Sequence, residues 1–223
     1  MAAGSAGSAK VASPRLSPVR LTELREDPAP DFRRGERYDG ARYSRAAADG
    51  LELNGTDFAE CEFAGVSFNE AQLRGASFKD CVLREVYAPV FAAARTTWRD
   101  VEISSPRWGS AEIYESGWQS VRVDGGKLDY LNLRGSKLND VQISDCIINE
   151  LDLGSVTANR VALRNCTIGT LDISGAKLKD FDLRTTDFRT INGLESLAGV
   201  VIDDYQLSLL APLLAAHLGV RVL

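Results

Sequence analysis

The sequence predicts an all-β solenoid closed by one C-terminal helix. Three observations predict it: an uninterrupted five-residue period, a second inward series two residues earlier, and turn-forming residues in a fixed slot between them. From Leu51 to Glu195 the apolar centre falls on Leu53, Phe58, Phe63, Phe68, Leu73, Phe78 and Leu83 and continues in steps of five to Leu183 and Phe188, ending at Gly193. A short internal repeat held this long marks units that bury their apolar faces only by stacking on their neighbours. The accompanying series, Leu51, Thr56, Cys61, Val66, Ala71, Ala76 and Cys81, is mostly small. Two inward residues in every five fit neither a helix, whose stripe recurs at 3.6, nor a strand alternating at 2. The chain must therefore turn every five residues, and Gly55, Gly65, Gly75, Gly125, Gly135 and Gly175 share the slot where it does.

The elements follow in chain order. Residues 1–36 are rich in Ala, Gly, Ser, Pro and charge, a composition that buries too little to offset the entropy of ordering, so a flexible N-terminal tail is expected. Residues 37–195 hold the repeat, with weak first units around Tyr43 and Ala48. Residues 196–223 form the C-terminal cap, in which Val200, Val201 and Ile202 extend the sheet. A helix over 203–218 follows, announced by Asp203 and Gln206 as a capping box and by Gly219 as a stop. Pro212 should kink this helix or begin a second one.

Segments such as LNLRGSKLND (131–140) and LDISGAKLKDFDLR (171–184) resemble those of pentapeptide-repeat proteins. The resemblance implies a right-handed quadrilateral β-helix with four pentapeptides per coil; the four sides come from the resemblance and not from the spacing. Folding the sequence by twenty then stacks residues into surface columns.

Chemistry is sparse. The chain has 223 residues, 44% apolar, a net charge of −5 and no apolar run long enough to span a membrane. The start, MAAGSAGSAKVASPRLSPVR, has no continuous apolar segment of secretory type, so a cytoplasmic protein is expected. The single histidine, His217, makes neither a zinc site nor a triad, and no phosphate-binding loop appears. Cys61, Cys81, Cys146 and Cys166 occupy the inward small-residue slot at separations of twenty within each pair, and read as buried thiols. Central Leu, Ile and Phe fill the axis, so no enzyme, cofactor or metal is expected and function must lie on the outside.

Three surface features are candidates for a protein partner. Glu60, Asp80, Asp100, Asp140 and Asp180 stack at one corner, with Glu62, Glu102 and Asp182 across the turn, making an acidic edge. Tyr87, Arg107 and Tyr114 belong to an irregular segment (86–126) that also carries Trp98, Trp108 and Trp118. Leu209, Leu213 and Leu214 on the last helix serve either as a cap over the open end or as a homodimer interface. The sequence is read first as a non-catalytic interaction module of unknown partner, with no direct nucleic-acid or membrane contact. The alternative comes from the resemblance to fluoroquinolone-resistance pentapeptide proteins, which implies a DNA-mimicking modulator of DNA gyrase or topoisomerase IV, type II topoisomerases, dimeric through its C-terminal end.

Overall fold

A computed structural model describes residues 11–221. The chain winds into a β-solenoid of about nine turns, built from a 12-stranded and a 6-stranded parallel sheet. In the middle of the rod each coil contributes one long strand to the larger sheet, such as Ser77–Arg84, Thr97–Ser104 or Gly117–Asp124. It then gives a shorter one to the smaller sheet, such as Tyr87–Ala92, Arg107–Glu112 or Lys127–Asn132. The ladders pair each residue with the one twenty positions on, as in Trp98 with Trp118 and Tyr87 with Arg107.

The five-residue period is realised in the backbone as a left-handed residue at most corners. From Gly35 to Glu85 each fifth residue has positive φ, including Arg45 (54°), Glu60 (50°), Glu70 (60°) and Asp80 (51°) among the glycines. At several corners the third residue of a four-residue turn takes this conformation, and the turn closes by hydrogen bonds such as Thr56 N to Leu53 O (3.2 Å) and Ala76 N to Leu73 O (3.0 Å). Glycine adopts it without strain, whereas other L-residues are disfavoured by roughly 1–2 kcal/mol, Asp and Asn least. After residue 86 three corners of each coil keep the pattern as far as Asn165, and the last coil keeps two, at Gly175 and Asp180. The fourth, at Val90, Ser110, Tyr130, Glu150 and Thr170, is absent from the left-handed set and lies inside the short strands.

The axis is filled by one continuous apolar column. Phe58 and Phe78 stack at 5.1 Å, and Phe78 and Trp98 at 4.3 Å. Within the irregular segment, size is exchanged between neighbouring coils: Ala88 lies in register with Trp108, and Phe91 with Ala111. Phe91 and Trp108 stack at 4.8 Å. All three tryptophans are buried, so the irregularity is a volume-conserving repacking. The four cysteines are free and buried, each thiol donating to the carbonyl two residues back at 3.2–3.3 Å.

Both ends are plugged. Phe32, 5% exposed, sits over the first coil with its ring 4.9 Å from Tyr43 and 5.9 Å from Phe58. At the other end Gly193 (φ 85°) turns the chain where a side chain would meet Ser174 N at 2.4 Å, and Val200–Val201 add a last strand beside Phe181 and Asp182. The helix α1 (Asp204–His217) follows with the expected capping box between Asp203 and Gln206, and runs through Pro212 as a single element.

Residues 11–36 differ from the flexible tail their composition suggests; residues 1–10 lie outside the described residues. The segment 11–24 runs back along the rod, with Val11, Pro14, Leu16, Val19, Leu21 and Leu24 half-buried and Ser13, Arg15, Ser17 and Arg20 exposed. Arg25–Glu26 then pairs in parallel with Ala41 and Arg42. A composition rule weighs a segment against its own apolar content, whereas this one half-buries Val11, Pro14, Leu16, Val19, Leu21 and Leu24 against the rest of the chain.

Candidate interaction surface

The acidic column forms where the sequence places it, and the backbone explains part of its chemistry. Glu60, Asp80, Asp100, Asp140 and Asp180 all have φ between 50° and 56°, a region in which Asp is the best-tolerated acidic side chain. Ser120 and Arg160 complete the column, at φ 56° and 53°. The structure therefore gives these carboxylates a conformational role that the twenty-residue folding alone does not show.

Much of the negative charge is neutralised in place. Glu62 lies between Arg42 (2.8 Å) and Arg84 (3.0 Å); burial raises its pKa, but the two guanidinium groups outweigh that and hold it below the ordinary glutamate value. Asp140, 4% exposed, forms a two-point pair with Arg160 at 2.6 and 2.7 Å. That guanidinium keeps the carboxyl below the usual aspartate value. Asp182 is likewise lowered by Arg184 at 2.8 Å, and Glu102 lies 3.8 Å from Arg122. Glu60, Asp80 and Asp100 have no ion-pair partner among the described residues.

The N-terminal arm lies along this same edge. Its backbone amides donate to side-chain acceptors of four coils, passing over the coil of Arg160: Ala12 N to Asp180 Oδ1 (3.1 Å), Arg15 N to Asp140 Oδ1 (2.9 Å), Ser17 N to Ser120 Oγ (2.9 Å) and Val19 N to Glu102 Oε1 (3.4 Å). Seven steps of extended chain cover roughly 23 Å, matching four coils of about 4.8 Å each with a little slack. The sequence sign of this contact is the recurrence of Leu16, Val19, Leu21 and Leu24 at spacings of three, two and three.

The irregular patch is divided. Tyr87, 50% exposed, is in register with Arg107, and the same row continues through Lys127 to Ile147, 51% exposed. Val90 is exposed on the same strand as Tyr87. Tyr114 lies beyond the other end of the Arg107–Glu112 strand, half-buried in a groove of about 390 Å³ with Gln72, Arg74, Ala92 and Glu112. Sequence reasoning missed Ile147 and Val90 because both sit in a continuous apolar run where inward and outward residues look alike.

On α1 the inward work is done by Gln206 and Leu210, which are buried, and by Leu214, which packs partly against the core. Leu209 and Leu213 remain about half exposed, together with Tyr205 and Leu207. Gln206 has a second function that the capping box does not reveal: its Nε2 donates to Leu183 O at 2.7 Å and Thr186 O at 2.8 Å. His217 is exposed at the helix end, and no metal-holding group of His, Cys, Asp or Glu occurs among the described residues.

Comparison with known proteins gives one family match: the model for pentapeptide repeats fits residues 44–86 in eight copies. No curated protein matches the sequence. Among solved structures, a trypsin-treated form of QnrB1, a plasmid-mediated fluoroquinolone resistance protein, is 17% identical, covers 84% of this chain and 98% of its own, and has a TM-score of 0.42. HetL, a pentapeptide-repeat protein involved in heterocyst differentiation regulation in the cyanobacterium Nostoc, is 14% identical over 78% of this chain and 93% of its own, with a TM-score of 0.33. The eight matched copies continue in unbroken five-residue register to the last coil at Asn192, so the chain carries pentapeptide repeats and resembles the pentapeptide-repeat proteins.

Proposed function

We propose that the protein is a non-catalytic cytoplasmic scaffold that recognises a protein partner through its outer surface. The observation that carries this reading is the row Tyr87, Arg107, Lys127 and Ile147 on the smaller sheet, whose two ends are large apolar side chains half open to water. An aromatic and an aliphatic anchor flanking two cations suit a partner with apolar and acidic groups. Quantitative affinity capture followed by mass spectrometry, comparing the natural chain with Tyr87→Ala and Ile147→Ser, tests it. A partner retained equally by all three forms would sink this assignment.

Recognition of DNA gyrase or topoisomerase IV by a duplex-like acidic strip is less well supported. Glu62, Asp140 and Asp182 are each bound to arginine, and the arm covers part of the strip. A supercoiling assay with and without a quinolone decides it, since unchanged supercoiling and drug sensitivity remove the reading. Pairing of two copies through α1 is supported by the exposure of Leu209 and Leu213 beyond what the cap uses. Sedimentation of the chain ending at Glu195 tests this: a monomer from a dimeric parent is the expected result.

A further inference from the structure

The contacts between arm and rod have an unusual division of labour. The arm supplies backbone amides, and the rod supplies side-chain oxygens from Asp180, Asp140, Ser120 and Glu102. Recognition of this kind reads an extended main chain and not a particular sequence. Among the described residues, backbone-to-backbone pairing begins only at Arg25, whose N–H donates to Gly40 O at 2.9 Å. The segment 11–24 is thus held by a few amide contacts and by half-buried side chains, while 25–26 is woven into the sheet.

The fit is also incomplete. A cavity of about 400 Å³ lies beside Val19, Arg20 and Leu21, bounded by Arg42, Glu62, Val82, Arg84 and Glu102. Between residues 11 and 22 the arm's only charges are Arg15 and Arg20, opposite in sign to the column it follows. Asp80 and Asp100, further along that column, receive neither an arm amide nor an ion pair among the described residues.

We propose that the acidic edge is a groove for extended polypeptide, occupied in this structure by residues 11–24 as a displaceable strap. The displacing ligand is an extended, positively charged segment of a partner protein. Its amides replace those of Ala12, Arg15, Ser17 and Val19, its larger side chains fill the cavity beside Glu102, and its cations meet Asp80 and Asp100. This rests on the reading of the protein as a partner scaffold and names a second site for it.

The probe is a fluorescent synthetic peptide of residues 11–24, followed by anisotropy with the full-length chain. The natural protein should bind it weakly, because its own arm competes at an effective concentration in the millimolar range. Leu16→Asp, or Leu21→Asp as a second opening variant, should raise amide exchange at Ala12, Arg15 and Ser17 and tighten peptide binding at least about tenfold. In the opened background, Ser120→Ala with Asp180→Gly should abolish that gain, as should a peptide N-methylated at the positions of Arg15 and Ser17. The proposal is overturned if neither opening variant, shown by melting to keep its rod, changes exchange or peptide binding. Equal binding of the N-methylated peptide overturns it as well. Either failure leaves the Tyr87–Ile147 row unaffected, because that row is read by Tyr87→Ala and not by the arm.

Discussion

Replacing Gln206 by leucine should loosen the C-terminal end of the rod while leaving its middle intact. Gln206 is 4% exposed. Its Nε2 bonds Leu183 O and Thr186 O, and its side-chain oxygen accepts from Asp203 N at 3.0 Å. Leucine has a similar volume, so the packing survives and the loss is confined to hydrogen bonding. Three bonds at about 1 kcal/mol each, with Leu183 O still served by Thr186 N at 2.9 Å, give a cost of about 3 kcal/mol. Stability in a solenoid is a sum over neighbouring coils, so this cost should appear locally. Native-state hydrogen exchange should show protection over Phe181–Asn192 falling by roughly 100-fold, since about 1.4 kcal/mol is a factor of ten. The unfolding midpoint reported by Trp98, Trp108 and Trp118 should move little. Unchanged protection at the last coil would refute the role given to Gln206, and a loss spread evenly along the rod would refute the local accounting.

Trp108→Ala removes the ring that covers Ala88 and stacks on Phe91, and should cost about 3–5 kcal/mol in chemical denaturation. Glu85→Gly relieves a left-handed residue (φ 51°) that is exposed; the net gain after glycine's larger unfolded-state entropy should be at most about 1 kcal/mol, read as a rise in the urea midpoint. Asp140 is held below its ordinary pKa by Arg160, with the Arg15 amide helping. Its stabilisation is therefore complete above the unfolded value of about 3.9 and is lost as pH falls through the lower folded value. The Arg15 amide resonance should accordingly be constant from neutral pH to about 5 and shift only below about 4, a transition that Asp140→Asn should abolish.

The five-residue register was legible because it is written twice, in large central residues and in small ones beside them. The capping box at Asp203 and Gln206 was equally plain, and the helix differs from its expected 203–218 by one residue at each end. The arm was not legible. Its burial depends on acceptors more than 80 positions away, Glu102 being the nearest, and a local composition argument has no access to them. The sign of the acidic edge could be read, but its neutralisation turns on side-chain reach, as in Arg42 and Arg84 both meeting Glu62. Arg160 was visible in the same column and was the available warning. The separation of Tyr114 from Tyr87 follows from strand length, which the repeat period does not encode.

The left-handed corner at nearly every fifth residue separates two kinds of information in the chain. Whether a side chain points inward depends on its position modulo five, while the face on which an outward side chain stands depends on its position modulo twenty. Removing one pentapeptide from the middle of the rod would keep every downstream core residue in the core and yet carry each surface column round by one side. Removing a whole coil would restore the columns and only shorten them. Tolerance of folding to insertion and deletion is thus four times finer than tolerance of recognition, so rods of this kind should vary in length by whole coils wherever a surface is being kept for a partner.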